Sequence, residues 1–203
     1  DDPEVIDLLE SQNVSYVLIA PNDPEAVRLS VNIDDVAAAR EIAEYLLNLG
    51  HRRIGFIRGH PDHGASSKRY QGYCEALDKF GLEPDEDLIR QGFFDYSTGL
   101  QCAESLLDME NPPTAIFASN DDMAAATIAA AYRRHIDVPG QLSIVGFDDT
   151  SIAAIISPQL TTVRQPISEL AARAVSLLSD NSSRRLAGAK EENIVYLDHS
   201  VIE

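Results

Sequence analysis

The stretch LSIVGFDD, residues 142–149, determines how the rest of the chain is interpreted. Its apolar residues run without polar alternation and end in GFDD at residues 146–149. Unbroken apolar runs of this length are typical of strands that are buried on both faces of a parallel sheet. A second predicted strand, residues 114–118, ends in the same way, in SNDD at residues 119–122. The two stretches therefore predict neighbouring parallel strands with polar side chains at one edge.

The polar residues at these strand ends divide into two groups. Ligands of open α/β sheets bind outside the carboxyl ends of the strands, and Asn120 and Asp148 lie nearest to those ends. We therefore expect both to contact a ligand. Asp121, Asp122 and Asp149 follow at places where helices begin, where acidic side chains satisfy unpaired N–H groups and complement the helix dipole. We expect these three to have that capping role.

Outward from these strands, strand and helix patterns alternate along nearly the whole chain. Strands are predicted at residues 14–19, 31–33, 54–57, 88–92 and 194–197 as well. Helices are predicted between them, including one that starts at Ser66 or Ser67 and one from Ile167 that ends before a polar loop at residues 181–185. This alternation predicts an α/β fold with mostly parallel, doubly wound sheets and right-handed crossovers.

The composition excludes several classes of partner. The 203 residues include 16 basic and 33 acidic side chains, which give a net charge of -17. Such a chain should repel nucleic acid and anionic membranes, so any DNA contact must come from a segment outside it. No apolar run approaches the ~20 residues that span a bilayer.

The two cysteines and the first residue bear on where the chain comes from. Cys74 and Cys102 have no CxxC spacing, and buried thiols fit the reducing cytoplasm. Since the chain begins without Met, we expect a fragment or trimmed product.

Catalytic and metal sites are weakly indicated. His60, Asp62 and His63 lie in one loop, but His51, His135 and His199 show no matching spacing, and structural zinc usually has four ligands. We expect a solvated loop and no metal. The chain has no G-x-S-x-G, P-loop or G-x-G-x-x-G motif, which argues against an enzyme and against a nucleotide cofactor. Adjacent residues on an extended chain point in opposite directions, so Asp148 and Asp149 are not expected to form an acid/base pair.

A group of polar and aromatic residues at the predicted sheet edge is suited to binding a small ligand. It comprises Arg69, Asn120, Asp148 and the aromatic pair Phe93-Phe94. Arginine, asparagine and aspartate offer donors and acceptors for hydroxyl groups or a heteroaromatic edge, and a phenyl ring offers a stacking face. The alternative interpretation of Arg69 is an exposed position on a helix surface. The alternation of side chains along an extended chain implies that one of the two phenylalanines faces outward, but it does not decide which one. Arg69 favours an anionic or polyhydroxyl ligand over an apolar one.

Several stretches, taken in order, resemble the LacI/GalR family of bacterial transcriptional regulators. They are VNID at 31–34, LGHRRI at 49–54, RYQGY at 69–73, ASND at 118–121, VGFDD at 145–149 and LTTVRQP at 160–166. The resemblance is to the effector-binding domain of these regulators, which has the fold of periplasmic sugar-binding proteins. It implies two doubly wound subdomains joined by three crossover strands, with an effector in the cleft between them.

The resemblance also implies residue roles and boundaries. Arg69, Asn120 and Asp148 match effector-contacting positions, Phe94 matches an aromatic that stacks on the ligand, and Gln165 lies at a crossover of the effector site. The C-terminal subdomain is expected at residues 33–165 and 193–203. An incomplete N-terminal subdomain is expected at residues 1–32 and 166–192. Hinges are expected at residues 31–32, 162–165 and 193–195.

As to partners, members of the family are typically homodimers that bind a sugar, a sugar phosphate or a nucleobase. Ligand closure reorients an N-terminal helix-turn-helix headpiece that binds operator DNA. That headpiece is missing here, so the chain by itself is expected to sense and dimerise but not to bind DNA. A solute-binding component of a sugar transporter, with the same fold and cleft, is the alternative. A signal sequence upstream would favour that alternative, and a basic helix-turn-helix would favour the regulator.

Overall fold

The computed structural model describes residues 2–23, 29–184 and 194–203. The chain forms two compact units. The smaller unit comprises Asp1–Asp34 and Pro166–Asp198, and the larger unit comprises Asp35–Gln165 and His199–Glu203. The chain therefore passes from one unit to the other after Asp34, after Gln165 and after Asp198.

The elements of the smaller unit are α1 (Pro3–Ser11), β1 (Leu18–Ile19), β2 (Ser30–Ile33), α7 (Ile167–Arg184) and β8 (Ile194–Leu197). The three strands form a parallel sheet in the order β1-β2-β8. Helix α7 packs against β1 and β2, because its apolar face, with Leu170, Ala174 and Leu177, is buried.

The strands of the larger unit are β3 (Ile54–Arg58), β4 (Ile89–Gln91), β5 (Ala115–Ala118), β6 (Ser143–Val145), β7 (Thr162–Arg164) and β9 (Ser200–Ile202). Four of them form a parallel sheet in the order β4-β3-β5-β6, and β7 and β9 form a short antiparallel pair. The helices of the larger unit are α2 (Asp35–Asn48), α3 (Gly64–Lys79), α4 (Tyr96–Leu107), α5 (Asp121–Arg133) and α6 (Ser151–Ile155).

Apolar side chains on the two faces of this sheet pack against different helices. Phe56 of β3 contacts Tyr73 of α3 and the edge of Phe117 at 5.0 Å between ring centroids. The next residue, Ile57, points to the opposite face, where it joins a core cluster with Leu106 of α4 and residues of α5. Helices therefore cover both faces of the parallel sheet, which is the predicted doubly wound α/β arrangement.

Some predicted elements differ from those observed. The strand predicted at residues 14–19 forms only at Leu18–Ile19, where β2 offers backbone partners. Helix α7 continues through the predicted loop to Arg184, since no glycine or proline interrupts it there, and residue 185 lies outside the described residues. Helix α3 begins at Gly64, before the two serines predicted to start it.

The predicted domain boundaries also shift. Residues 194–198 lie in the smaller unit instead of the larger one, because β8 pairs with β2 from Ser30 to Ile33. Residues 33 and 34 join the smaller unit for the same reason. The boundary predicted at residue 165 coincides with the observed one. Of the predicted hinges, residues 31–32 lie within β2, residues 162–165 cover β7 and the following residue, and residue 193 lies outside the described part of the chain.

Candidate functional site

The loops that follow β3, β5 and β6 meet at the carboxyl edge of the larger unit's sheet, because these strands are parallel neighbours. His51 lies at the opposite, amino edge, where its ring nitrogens contact the hydroxyls of Thr114 and Ser143, both at 2.9 Å. Burial lowers the pKa of His51. The carboxyl edge, by contrast, contains every residue that the sequence assigned to a ligand site.

Arg69 is the central side chain of this edge. It projects from α3 and is buried, so the alternative of an exposed helix position is wrong. Its Nε donates to Oδ1 of Asp35 at 2.9 Å, and its Nη1 donates to the Ser119 carbonyl at 2.6 Å. Nη1 also lies 3.3 Å from Oδ1 of Asp148. The guanidinium is therefore fixed by two carboxylates and a carbonyl.

Asp148 is the most accessible polar group of this network, with its side chain 27% exposed. Its backbone has a φ of 111°, in the left-handed region that non-glycine residues rarely adopt. Gln165 Nε2 donates to Oδ1 of Asp148 at 2.7 Å. Burial raises the pKa of Asp148, while Arg69 and the hydrogen bond from Gln165 act in the opposite direction. The result is a carboxylate held in a strained position with part of its surface open.

Asn120 lies between β5 and α5 and caps the helix. Its Oδ1 accepts the backbone N–H of Met123 at 3.1 Å, and its Nδ2 donates to the Phe94 carbonyl at 2.9 Å. The sequence assigned helix capping to the aspartates instead. Asn120 performs it here because a side chain at the N-cap position can reach the N–H three residues ahead.

Asp121 has a different role from the predicted one. Its carboxylate is buried and accepts hydrogen bonds from the Thr162 hydroxyl at 2.6 Å and from the Thr150 backbone N–H at 2.7 Å. Burial raises the pKa of Asp121 to about 6. Asp149 likewise does not cap a helix, since its carboxylate pairs with Arg164. The expected capping hydrogen bonds are therefore wrong for Asp121 and Asp149, although Asp121 does lie in the first turn of α5, where an acid complements the helix dipole.

The aromatic pair is divided between interior and surface. Phe94 has a φ of 64°, and its ring covers Gly59 at such short range that no Cβ would fit there. The ring centroid lies 5.7 Å from the Arg69 guanidinium. Phe93 is 44% exposed and meets His60 edge-on at 5.4 Å. Phe94 therefore lies beside Arg69 in the candidate site, and Phe93 is the outward-facing member.

The five residues predicted for the site lie in one series of contacts. Gln165 contacts Asp148, Asp148 contacts Arg69, the Arg69 guanidinium lies near the Phe94 ring, and the Phe94 carbonyl accepts from Asn120. Sequence reasoning missed three further members: Asp35, the Ser119 carbonyl, and Phe147, whose ring lies 3.6 Å from the guanidinium of Arg69. None of the three has a local sequence signal for its contact with Arg69, because the contacts span 34 to 78 positions in the chain.

The histidine loop adjoins this series of contacts. The rings of His60 and His63 are 4.8 Å apart, and the ring of His63 stacks near Phe94 at 5.8 Å. His60 Nδ1 accepts the backbone N–H of Asp62 at 3.2 Å. Across residues 2–23, 29–184 and 194–203, no group of three or more His, Cys, Asp or Glu side chains is placed to hold a metal ion.

The arrangement is suited to binding. One cation, Arg69, faces two carboxylates, Asp35 and Asp148, so the trio has a net negative charge when both acids are ionised. The partly open carboxylate of Asp148 can accept hydroxyl groups, and the Phe94 ring provides an apolar face. Over the part of the chain that the structure describes, no helix has the length and apolar character that crossing a bilayer would require.

Comparison with known proteins identifies one matching family model and several similar regulators. A family model described as "Periplasmic binding protein-like domain" matches residues 43–201. The HTH-type transcriptional regulator DegA of Bacillus subtilis is 41% identical over 172 residues, which cover 85% of this chain and 51% of that protein.

Two solved structures resemble the whole chain. A regulatory protein of LacI family from Chloroflexus aggregans has a TM-score of 0.88 at 32% identity, over 98% of this chain and 70% of that one. A transcriptional regulator CelR-cellobiose complex has a TM-score of 0.90 at 32% identity, over 100% of this chain and 62% of that one. The chain spans about half the length of the curated relatives it matches.

Proposed function

This chain belongs to the periplasmic binding protein-like domain family, in the form found in LacI/GalR-type transcriptional regulators, and we propose that it senses a neutral, polyhydroxylated effector. The effector contacts the carboxyl edge of the larger unit's sheet through Asp148, Arg69, Asn120, Phe94 and Gln165. The observation that carries this proposal is the partly open Asp148 carboxylate, which Arg69 and Gln165 hold in place from two sides.

The charge distribution supports one of the three effector classes that the family resemblance allows. A sugar phosphate needs a cation that is not already matched, but Arg69 is paired with both Asp35 and Asp148. An added anion would meet the net negative charge of the trio Arg69, Asp35 and Asp148. A neutral sugar can instead donate hydroxyl protons to Asp148 and place its apolar ring face on Phe94. The CelR relative, whose structure is a complex with cellobiose, supports this choice.

A thermal-shift screen of the 203-residue chain tests the proposal, because a ligand that binds only the folded state raises Tm. The panel comprises neutral mono- and disaccharides including cellobiose, glucose 6-phosphate as an anionic sugar, and adenine as a nucleobase. We expect a rise in Tm with a neutral sugar, its loss in Asp148→Asn, and its retention in Asp122→Asn, which alters an exposed acid nearby. Stabilisation by glucose 6-phosphate or adenine alone, or by no compound, would overturn the proposal.

We propose that effector binding controls DNA binding by a helix-turn-helix headpiece in the whole protein, which acts in the cytoplasm. The relative DegA is named an HTH-type regulator and matches this chain over only half of its own length. With a net charge of -17, the chain itself is poorly suited to hold DNA. The relatives reported above are transcriptional regulators, so the transporter alternative is not favoured.

We further propose that the chain forms a homodimer through α5 and α6. These helices border an apolar groove of about 720 Å³ whose lining includes Ile128, Ile152 and Ile156. Tyr132 is 82% exposed at its edge, and Ile155 is exposed as well. Exposed apolar surface of this kind marks interaction sites. Sedimentation velocity of Tyr132→Glu and Ile155→Glu should show monomers, whereas Leu49→Glu at an exposed position of the same unit should remain dimeric.

A further inference from the structure

Two consecutive acids bind two consecutive residues of another segment. Asp148 accepts from Gln165 Nε2 at 2.7 Å, and Asp149 accepts from Arg164 Nε at 2.5 Å. The backbones pair as well, since the Asp148 N–H donates to the Val163 carbonyl at 2.8 Å and Asp148 lies in register with Arg164. The segment after β6 and the end of β7 are therefore joined by one backbone contact and two side-chain contacts.

Gln165 needs this support because of its place in the chain. It follows Arg164, the last residue of β7, and precedes Pro166, which has no N–H to donate. The first segment of the larger unit ends at Gln165. The orientation of the Gln165 amide therefore depends on how firmly the end of β7 is held, and the nearest side-chain anchor is the contact of Arg164 with Asp149.

Stability alone does not account for the Asp149–Arg164 pair. The Arg164 side chain is more than half exposed, and exposed ion pairs contribute little to the free energy of unfolding. Asp149 also has a φ of 55°, next to the φ of 111° at Asp148, so two adjacent non-glycine residues adopt left-handed backbone conformations. Such conformations cost free energy and cluster at binding sites, where the surrounding contacts hold them in place.

We propose that Asp149 and Arg164 are a positioning pair that holds the Gln165 amide against the Asp148 carboxylate. Neither residue of the pair needs to touch the effector. The effect on effector binding rests on the proposed function, because Asp148 is the group proposed to accept effector hydroxyls. The positioning itself is a property of the chain without ligand, so it is measured without ligand.

The pKa of Asp148 is the measurement that reports on Gln165. Arg69, Asp35 and Gln165 act on this carboxylate, and Asp121, whose pKa is raised in part by Asp148, is coupled to it as well. The hydrogen bond from Gln165 stabilises the ionised form of Asp148 and so lowers its pKa. Loss of that hydrogen bond should therefore raise the pKa of Asp148. The carboxyl carbon of Asp148 is followed by carbon-13 NMR during a pH titration of the 203-residue chain and of its variants.

A double-mutant cycle with Arg164→Gln and Gln165→Ala separates positioning from simple charge removal. We expect each single substitution to raise the pKa of Asp148, and we expect the double variant to match Gln165→Ala, because residues that act through one contact are not additive. Arg134→Gln removes a comparable Arg–Asp pair with Asp108, formed by the C-cap residues of α5 and α4, and should leave the pKa of Asp148 unchanged.

Two outcomes would overturn the positioning pair. One is an unchanged pKa of Asp148 in Arg164→Gln. The other is a rise in the double variant equal to the sum of the single rises, which would mean that Arg164 acts on Asp148 through charge alone. Since no effector is added, either result is independent of whether the chain binds a sugar.

Discussion

Asp35 and Arg69 form a buried ion pair in which Nε lies 2.9 Å from Oδ1 and the side chains are 9% and 6% exposed. Asp35 is the first residue of α2, and Arg69 lies within α3, the helix that packs on α2. The pair therefore links the two helices on one face of the larger unit's sheet. It also directs the guanidinium towards Asp148.

We expect Asp35→Ala to destabilise the chain by about 3 kcal/mol. Removing one partner of a buried pair leaves the other charge buried and less well compensated. Urea denaturation measures the loss, with Asp122→Ala as the control because Asp122 is exposed. A loss no larger than that of the control would show that Asp148 and the Ser119 carbonyl suffice to hold Arg69.

The Tyr73 hydroxyl provides a second prediction about the same helix. It is buried beneath α3 and donates to the Ile54 carbonyl at 2.8 Å, and burial raises the pKa of Tyr73 above its ordinary value. Tyr73→Phe should lower the free energy of unfolding by about 1 to 2 kcal/mol, because it removes a buried hydrogen bond. Tyr70→Phe, on the partly exposed side of α3, is the matched control. Equal losses in both variants would refute a special role for the buried hydrogen bond.

The sheet strands, and Asn120 and Asp148 as candidate site residues, could be proposed because their signals are local, whereas Arg69, Phe94 and Gln165 are assigned from the family resemblance. Unbroken apolar runs mark β5 and β6, and polar residues directly after such runs mark Asn120 and Asp148. The contacts of Arg69 with Asp35 and Ser119 could not be predicted from local patterns. They depend on how α2, α3 and β5 pack, and neither partner differs from an ordinary helix-start or strand-end residue.

The absence of local signals for long-range contacts also explains the shifted domain boundary and the exchanged capping roles. The pattern of residues 194–197 predicts a strand but not its partner, and pairing with β2 places it in the smaller unit. At the start of α5, both Asn120 and Asp121 are suitable capping residues. Which of them caps is decided by Thr162 and Thr150, distant residues that bind the Asp121 carboxylate.

Asp121 should make the stability of the larger unit depend on pH. Its folded-state pKa of about 6 exceeds the ordinary value of 3.8, so between these values the folded chain binds a proton that the unfolded chain has lost. The contribution of Asp121 to stability is therefore largest below about pH 4. It falls by about 1.4 kcal/mol per pH unit as the pH rises towards 6, and is flat above that.

Asp121→Asn tests this prediction because it removes the titration while the Asn oxygen can still accept from the Thr150 N–H. The difference in free energy of unfolding between wild type and variant, measured from pH 4 to pH 8, should change in favour of wild type as the pH falls. The exposed neighbour Asp122, changed to Asn, is the control. A difference that stays constant over this range would contradict the raised pKa.

Gly59 and Phe94 provide the last prediction, because the ring of Phe94 occupies the space that a side chain at position 59 would need. Gly59→Ala should therefore force the ring outward and lower the free energy of unfolding by about 1 to 3 kcal/mol. In a Phe94→Ala background the same substitution should cost much less, since the space is then open. Urea denaturation of the four proteins in this cycle measures the coupling. If Gly59→Ala costs the same in both backgrounds, the backbone at Gly59 and not the ring requires glycine. The measured coupling therefore tells whether Phe94 is held over Gly59 in the position that stacking on an effector would use.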